Sequence, residues 1–472
     1  MNQRTSTRIE IDHNAQEPLP LQICSGLRNL ILTGELPAGA RMISTRRTAA
    51  ELGVSRNTVM AAHAMLLAEG YLETRVGDGT FVAEEAAFQP QPMAGPDPLP
   101  PFDYRPYRFD AIDFRAGIPD LRRFPVSIWK RLSRGVWDGI APLDLTYGQP
   151  EGRVELRRQI TAYLCAYRGV RCHPDQILVT SGATQAMGIV GRLLLRGDRR
   201  ICLLEDPTAP DFRRILKDLE ARIESVPVDG QGLVTDELPA AVKPAFISVS
   251  PSHQYPLGVT MPFARRARLL EFARRAGAYV VENDHDGVFR YDSPPTGSIQ
   301  CMDPPRVVHI GSFSTTLFPS LRIGYAVLPP ELVALGREGK WFADIHAPVI
   351  DQLILARFME EGAFDRYRRS MSKRYGRTRA LLVDALTRNF GGGVQVLGSP
   401  AGLHLCARFP GIKFTFKILN RINLAGVGVY PVEELAVRKG RWEDTLALGY
   451  GMLDARSINV GISILKRCVP PQ

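Results

Sequence analysis

Residues 43–84 read ISTRRTAAELGVSRNTVMAAHAMLLAEGYLETRVGDGTFVAE, and this stretch decides the fold of the N-terminal part. Ser44 is a good N-cap for a short helix through Leu52, stopped at Gly53. Ser55 caps a second helix, in which Val59, Ala62, Leu66 and Leu67 recur at helical spacing until Gly70. Two short β-type runs follow, residues 71–75 and 80–83, joined by Val76-Gly77-Asp78-Gly79. An Asp-Gly step between such runs signals a hairpin. Upstream, residues 21–33 form an amphipathic pattern with Ile23, Leu27, Leu30 and Ile31 on one face and Gly34 as its stop. Residues 37–39, with Pro37 and Gly39, turn the chain. The order is helix, short helix, tight turn, helix and a two-stranded wing.

Beyond the wing the composition changes. Pro90, Pro92, Pro96, Pro98, Pro100, Pro101 and Pro106 crowd an aperiodic stretch that predicts an extended, semi-rigid linker. Apolar strands then alternate with longer helical patterns. Strands are expected at 176–180, 200–204, 245–248, 279–281 and 307–310, with helices starting at Thr184 and running through 265–275. That alternation predicts an α/β domain with a largely parallel sheet. From about residue 360 a smaller α+β unit is expected, with strands near 403–408 and 427–430. There are no internal repeats. The expected organisation is a domain over 1–85, a linker over 86–110 and a large domain over 111–472.

The 472 residues, 45% hydrophobic and 23% charged, are ample for two or three domains with sizeable cores. No apolar run approaches the roughly 20 residues that span a bilayer. The N-terminus is polar and lacks a signal peptide's apolar core, so a cytoplasmic protein is expected. Seven scattered cysteines form no C-x-x-C pair and read as free thiols. Nor do the eight histidines show metal-ligand spacing, so no metal site is expected. The net charge of +10 suggests a polyanionic partner. Its distribution is uneven: residues 1–85 carry eight arginines against ten acids, leaving +12 on the rest. Charge alone does not make the N-terminus a nucleic-acid binder; its pattern does.

That pattern is a winged helix-turn-helix, and from Pro18 to the end of the wing it resembles the DNA-binding domain of the GntR family. The family's run is close to L-P-S-S-R-x-L-A-x-x-L-G-V-S-R-x-T-V, followed by G-x-G-T-F-V; here Ile43 replaces the proline before Ser44. In this architecture the first turn of the third helix enters a major groove. Ser55, Arg56, Asn57 and Thr58 lie there. Arg56 can fork onto guanine and Asn57 onto adenine, while Ser55 and Thr58 can reach phosphates. Arg46 and Arg47 on the preceding helix are placed for backbone contacts. Gly79 leaves the wing tip bare for close approach to a minor groove. The bland alternative for any one of these is a helix cap or a solvated charge.

Residues 111–472 resemble the fold-type I, aspartate aminotransferase-like enzymes, in the form fused to a GntR reader in MocR-type regulators. The blocks DFRAGIPDLRRFPVSIWKR, LTYGQPEGRVELRRQITAYLCAYRGV, ILVTSGATQAM, SPSHQYPLG, VVENDHDGVFRYD and GSFSTTLFPSLRIGY carry the resemblance in the family's order. It implies a three-layer α/β domain with a smaller C-terminal subdomain, a homodimer, and a site for pyridoxal phosphate. That cofactor needs a lysine amine, a carboxylate on its ring nitrogen, a tyrosine on its phenolic oxygen and an anion-holding turn. The anion-holding parts are partly retained. Ser181, Gly182, Ala183 and Thr184 form a strand-to-helix turn suited to a phosphate, and Ser312 and Arg322 fall where the family's phosphate ligands fall.

The reactive parts are replaced. The family's S-F-S-K run reads Ser312-Phe313-Ser314-Thr315, so Thr315 stands at the lysine. Its E-D-D-Y run reads Glu282-Asn283-Asp284-His285, which puts Asn283 at the ring-nitrogen aspartate and His285 at the tyrosine. Ala209 stands at the aromatic position of E-x-P-x-Y, and Ala447 falls roughly at the substrate-gripping arginine. A single engineered change would have left these other positions intact. The resemblance therefore implies a regulator that binds double-stranded operator DNA and has no covalent cofactor. Non-covalent pyridoxal phosphate or another small-molecule effector stays open. The competing reading, an active aminotransferase with an appended DNA module, is opposed by Thr315, which has no amine. Nothing in the sequence suggests an unrelated activity built in the same pocket.

Overall fold

The computed structural model describes residues 9–87, 108, 110–292, 296–398 and 400–470. The prolines of the expected linker lie outside the described residues. The chain divides into two compact units, Met1–Arg105 and Pro106–Gln472.

In the first unit, α1 (Leu19–Leu32), α2 (Thr45–Leu52) and α3 (Arg56–Ala68) precede the antiparallel pair β1 (Leu72–Arg75) and β2 (Gly79–Val82). The Ser44 hydroxyl accepts from the Arg47 amide, and Ser55 from the Thr58 amide at 3.1 Å. Such caps are worth about 1 kcal/mol each. Ile23, Leu27, Ile31, Ala49, Val59, Ala62, Leu66, Leu72 and Val82 make one core.

Three details differ from the sequence reading. Leu67 is exposed and His63 takes the buried place, because the i, i+3, i+4, i+7 face of α3 is Val59, Ala62, His63 and Leu66. The wing turn is the three residues Val76-Gly77-Asp78, since Gly79 is already paired with Arg75. Residues 40–42, to which the sequence pattern assigned no element, extend the wing. They pair along β2 through Val82 N to Ala40 O (2.9 Å) and Met42 N to Thr80 O (2.8 Å).

The second unit contains β3 (Ile112–Asp113), α4 (Val126–Asp138), α5 (Val154–Arg168), β4 (Ile177–Thr180), α6 (Ala183–Leu194), β5 (Ile201–Asp206) and α7 (Pro210–Asp218). It continues through β6 (Arg222–Asp229), β7 (Gly232–Leu233), β8 (Phe246–Val249), α8 (Phe263–Ala276), β9 (Tyr279–Asp284), β10 (Val307–Ser312) and β11 (Gly324–Val327). Three helices follow: α9 (Val333–Asp344), α10 (Val349–Glu360) and α11 (Ala363–Phe390). An eight-stranded sheet runs β4-β11-β10-β9-β8-β5-β6-β7. Its centre, β10-β9-β8-β5-β6, is parallel, and only β11 and β7 pair antiparallel. Even β4 at the sheet's edge, like β8 at its centre, is buried throughout, as strands covered on both faces must be.

The smaller subdomain comprises β12 (Gln395–Leu397), β13 (His404–Arg408), α12 (Phe416–Leu424), β14 (Val427–Gly428), β15 (Tyr430–Pro431), α13 (Val432–Leu435), β16 (Thr445–Gly449) and α14 (Ala455–Cys468). Its sheet runs β12-β13-β16-β15, with α11 packed on α14. The single strand expected at 427–430 is two: β14 pairs with β3, and β15 with β16. The subdomain thus borrows the start of the unit. Phe114 fixes that return, fully buried, with its carbonyl accepting from Gly449 N at 2.7 Å. Asp206, at the end of β5, accepts from Val437 N and Arg438 N (2.7 and 2.9 Å) and so holds the smaller part to the large sheet.

Candidate functional site

The exposed face of the first unit presents Arg46, Ser55, Arg56 and Asn57 together, with Thr58 half-buried behind them. Arg46 and Asn57 make no side-chain hydrogen bond among the described residues. Arg56 Nε leans on Thr45 Oγ1 at 3.3 Å, which brings it toward α2. Two of the expected contacts are engaged within the fold. Arg47 Nε donates to Glu51 at 2.9 Å, and Ser55 Oγ lies 2.7 Å from Thr58 Oγ1 while capping α3. On the wing, Gly79 has φ +113, and an added Cβ would meet Arg41 Nε at 3.6 Å. That is ordinary contact, so the backbone angle and not space calls for glycine here; the Arg41 guanidinium lies 6.0 Å from the Phe81 ring centroid and that of Arg75 4.6 Å from it. Sequence reading passed over Arg41 because its pairing with Phe81 is made only by the fold.

In the second unit the strand ends make a pocket, where parallel α/β sheets bind ligands. Register places Ser312 beside Gly324 and Gly324 beside Thr180, so the two retained turns meet across β11. Gly182 caps α6 at φ +99; an added Cβ would lie 2.8 Å from Arg322 Nη2. Arg322 itself has φ +50, a left-handed conformation costing a non-glycine residue about 1–2 kcal/mol. That backbone aims the guanidinium at Ser181, whose carbonyl accepts from Nη2. Ser312 Oγ donates to Ser314 Oγ at 2.9 Å. Ser181, Thr184 and Arg322, with Phe342, line a cleft of about 650 Å³. Asp344 crowds it. Its carboxylate accepts from Ser181 Oγ (3.3 Å) and Gln185 Nε2 (2.8 Å), and it pairs with the buried Lys340.

The neighbouring positions carry no amine. Thr315 is buried and donates its hydroxyl to the backbone carbonyl of His285. Asn283 Oδ1 is buried with no hydrogen-bond partner among the described residues. Ala209 is the N-cap residue of α7, and Ala447 is buried on β16 in an apolar cluster with Leu257, Val259, Cys406 and Trp442. These residues do not fit a covalently held pyridoxal phosphate: the anion-holding turn is there, the imine-forming and ring-gripping groups are not.

Two buried acids of the large domain, Glu205 and Asp286, behave in opposite ways. Burial pushes the Glu205 carboxyl up to about 8, only partly offset by the Ser250 amide and Gln254. Burial also opposes ionisation of Asp286, but His253, His285 and His404 around it hold its carboxyl well below the usual range. The buried His404 is pushed down to about 3, first by burial and then by His253. Histidine spacing along the chain gave no hint of this group. The fold brings three imidazoles from three segments onto one carboxylate.

A winged reader and a strand-end pocket on an aminotransferase-like sheet define a two-part regulator class. Residues 19–82 match the bacterial regulatory proteins of the gntR family, and residues 112–441 match aminotransferase class I and II. The chain is 33% identical over 97% of its length, and 94% of the relative's, to the probable rhizopine catabolism regulatory protein MocR of Rhizobium meliloti. It is 29% identical to the pyridoxine biosynthesis transcriptional regulator PdxR of Corynebacterium glutamicum, over 79% of this chain and 80% of that one. Among solved structures it resembles kynurenine aminotransferase of Pyrococcus horikoshii (TM-score 0.70, 27% identity, 76% of this chain and 90% of that one). The chain belongs to the MocR-type branch of the GntR family, transcriptional regulators in which a DNA-binding helix-turn-helix is joined to an aminotransferase-fold domain. Among the described residues no helix is long and apolar enough to cross a membrane.

Proposed function

We propose that this regulator is a retired enzyme: its large domain carries out no transamination and serves instead to dimerise the chain and to hold an effector. The observation that carries the reading is Thr315, a buried hydroxyl tied to the His285 carbonyl where an amine is required. Asn283 supports it, since an amide cannot provide the negative charge that keeps a pyridine nitrogen protonated. The retained turn of Ser181 to Thr184, with Ser312 and Arg322, suits an anionic effector, non-covalent pyridoxal phosphate among the candidates. Double-stranded operator DNA is read by Arg56 and Asn57, with Arg46 and Arg41 on phosphates.

The test is reductive trapping. The full chain is incubated with pyridoxal phosphate, reduced with borohydride, digested and analysed by mass spectrometry. No tag is expected on the peptide containing residue 315, and no amino-donor-dependent turnover by the native protein. Thr315→Lys should restore a reducible imine yet give little turnover, because Asn283 and His285 are unchanged. A tag on the native site, or turnover without substitution, would overturn the reading.

A further inference from the structure

The group around Asp286 is built like a metal centre. His253 follows β8, His285 and Asp286 directly follow β9, and His404 opens β13 of the smaller subdomain. One ligand atom from each can be chosen so that all four lie within 4.8 Å of one another. His253 Nδ1 is 2.8 Å from Asp286 Oδ1, His285 Nε2 is 3.1 Å from the same oxygen, and His404 Nδ1 is 3.9 Å from Oδ2. The carboxylate is fixed from behind, with Oδ2 accepting from Leu403 N at 2.9 Å. Gly402 makes this approach possible: at φ +67, an added Cβ would lie 2.5 Å from Asp286 Oδ2.

Hydrogen bonding alone does not account for the arrangement. His253 Nε2 and His285 Nε2 are buried without a hydrogen-bond partner; the 3.1 Å approach of His285 to Asp286 is off the hydrogen-bonding line. Buried ring nitrogens left without a partner are costly, and a bound cation relieves them. Three imidazole nitrogens and one carboxylate oxygen form a donor set suited to a tetrahedral first-row divalent ion, zinc above all. Alkaline-earth ions prefer all-oxygen sites.

We infer that His253, His285, Asp286 and His404 form a buried zinc-class site that ties the smaller subdomain to the strand ends of the large sheet. Three ligands sit on the large sheet's side and one on β13, so the ion acts as a clamp between the two sheets. The inference rests on these donors and not on the fate of the cofactor, so either reading can fail alone.

The experiment uses the full chain, stripped with a chelator and dialysed. Cobalt(II) and zinc(II) are added, excess is removed by gel filtration, and metal per chain is measured. One ion per chain is expected, with visible ligand-field bands of four-coordinate cobalt and a raised melting temperature. His404→Gln and His285→Tyr should each lower affinity by at least about tenfold. His173→Ala, an exposed histidine, should leave binding unchanged. Circular dichroism of the metal-free variants reports the fold. If His404→Gln fails to fold, His285→Tyr decides alone, being half-buried and close in shape. Substoichiometric metal in the native chain, or undiminished binding in a folded His285→Tyr, would overturn the inference.

Discussion

At the residue scale, two side chains carry separable predictions. Arg56 stands exposed on the first turn of α3, its guanidinium hydrogen-bonded to Thr45. If it forks onto a base, Arg56→Ala costs about 1–3 kcal/mol of operator binding and relaxes specificity at one position. Unchanged affinity in Arg56→Ala with Thr58→Ala would remove α3 from the groove. Glu205 makes the second prediction. Burial raises its folded pKa to about 8 against an ordinary 4.5, so the unfolded chain releases this proton first. Its stabilising contribution is complete below the unfolded value and is lost as pH rises toward the folded one. His404 has the opposite sign, with a depressed pKa, and weakens the fold as pH falls below about 6.5. Denaturant unfolding should therefore show stability falling from pH 6.5 to 8, by at most about 1.4 kcal/mol per unit for one proton. Glu205→Gln should flatten that slope; an unaltered slope would show that Glu205 ionises freely.

At the scale of elements, the pocket rests on two turns pressed together, and this sets the test of anion binding. Gly182 caps α6, Gly324 opens β11, and a Cβ on Gly324 would fall 2.7 Å from Gly182 Cα. Such contact leaves Arg322 as the side chain that closes the turn, held there in a left-handed conformation. Phosphate should raise the melting temperature of the native chain, and Arg322→Ala should abolish the rise. An identical response in both proteins would mean that Asp344 has closed the turn to anions. Much of this was legible in sequence. Caps, the alternation of strands with helices and the Ser181–Thr184 turn follow local rules of spacing and polarity. What the sequence hid depends on distant segments: Arg41 pairing with Phe81, β3 joining β14, and His404 meeting His253 and His285. Asp344 beside Ser181 belongs with them. No periodicity marks a contact made between residues 163 positions apart.

At the scale of the whole molecule, the proposed dimer needs a face on which two copies can meet. The second unit exposes Leu143, Leu145 and Tyr147 on one loop and Phe342 at the end of α9, three of them more than three-quarters exposed. Tyr147 packs against His346, 6.4 Å between ring centroids, so loop and helix end form one patch. Large apolar side chains grouped this way mark an interface. Phe342 also lines the cleft that holds Arg322, so a second copy seated here would complete the wall of that cleft. Dimerisation would then put two readers on one scaffold, converting the second half-site contact into an intramolecular step and tightening binding by about 10²–10⁴-fold. The full chain should sediment as a dimer, and Tyr147→Glu with Phe342→Glu as a folded monomer. That monomer should lose affinity for paired half-sites by about 100-fold or more, yet bind a single half-site as the native chain does. A double variant that stays dimeric would place the interface elsewhere. One that becomes monomeric but keeps full affinity for paired sites would show that the readers act singly.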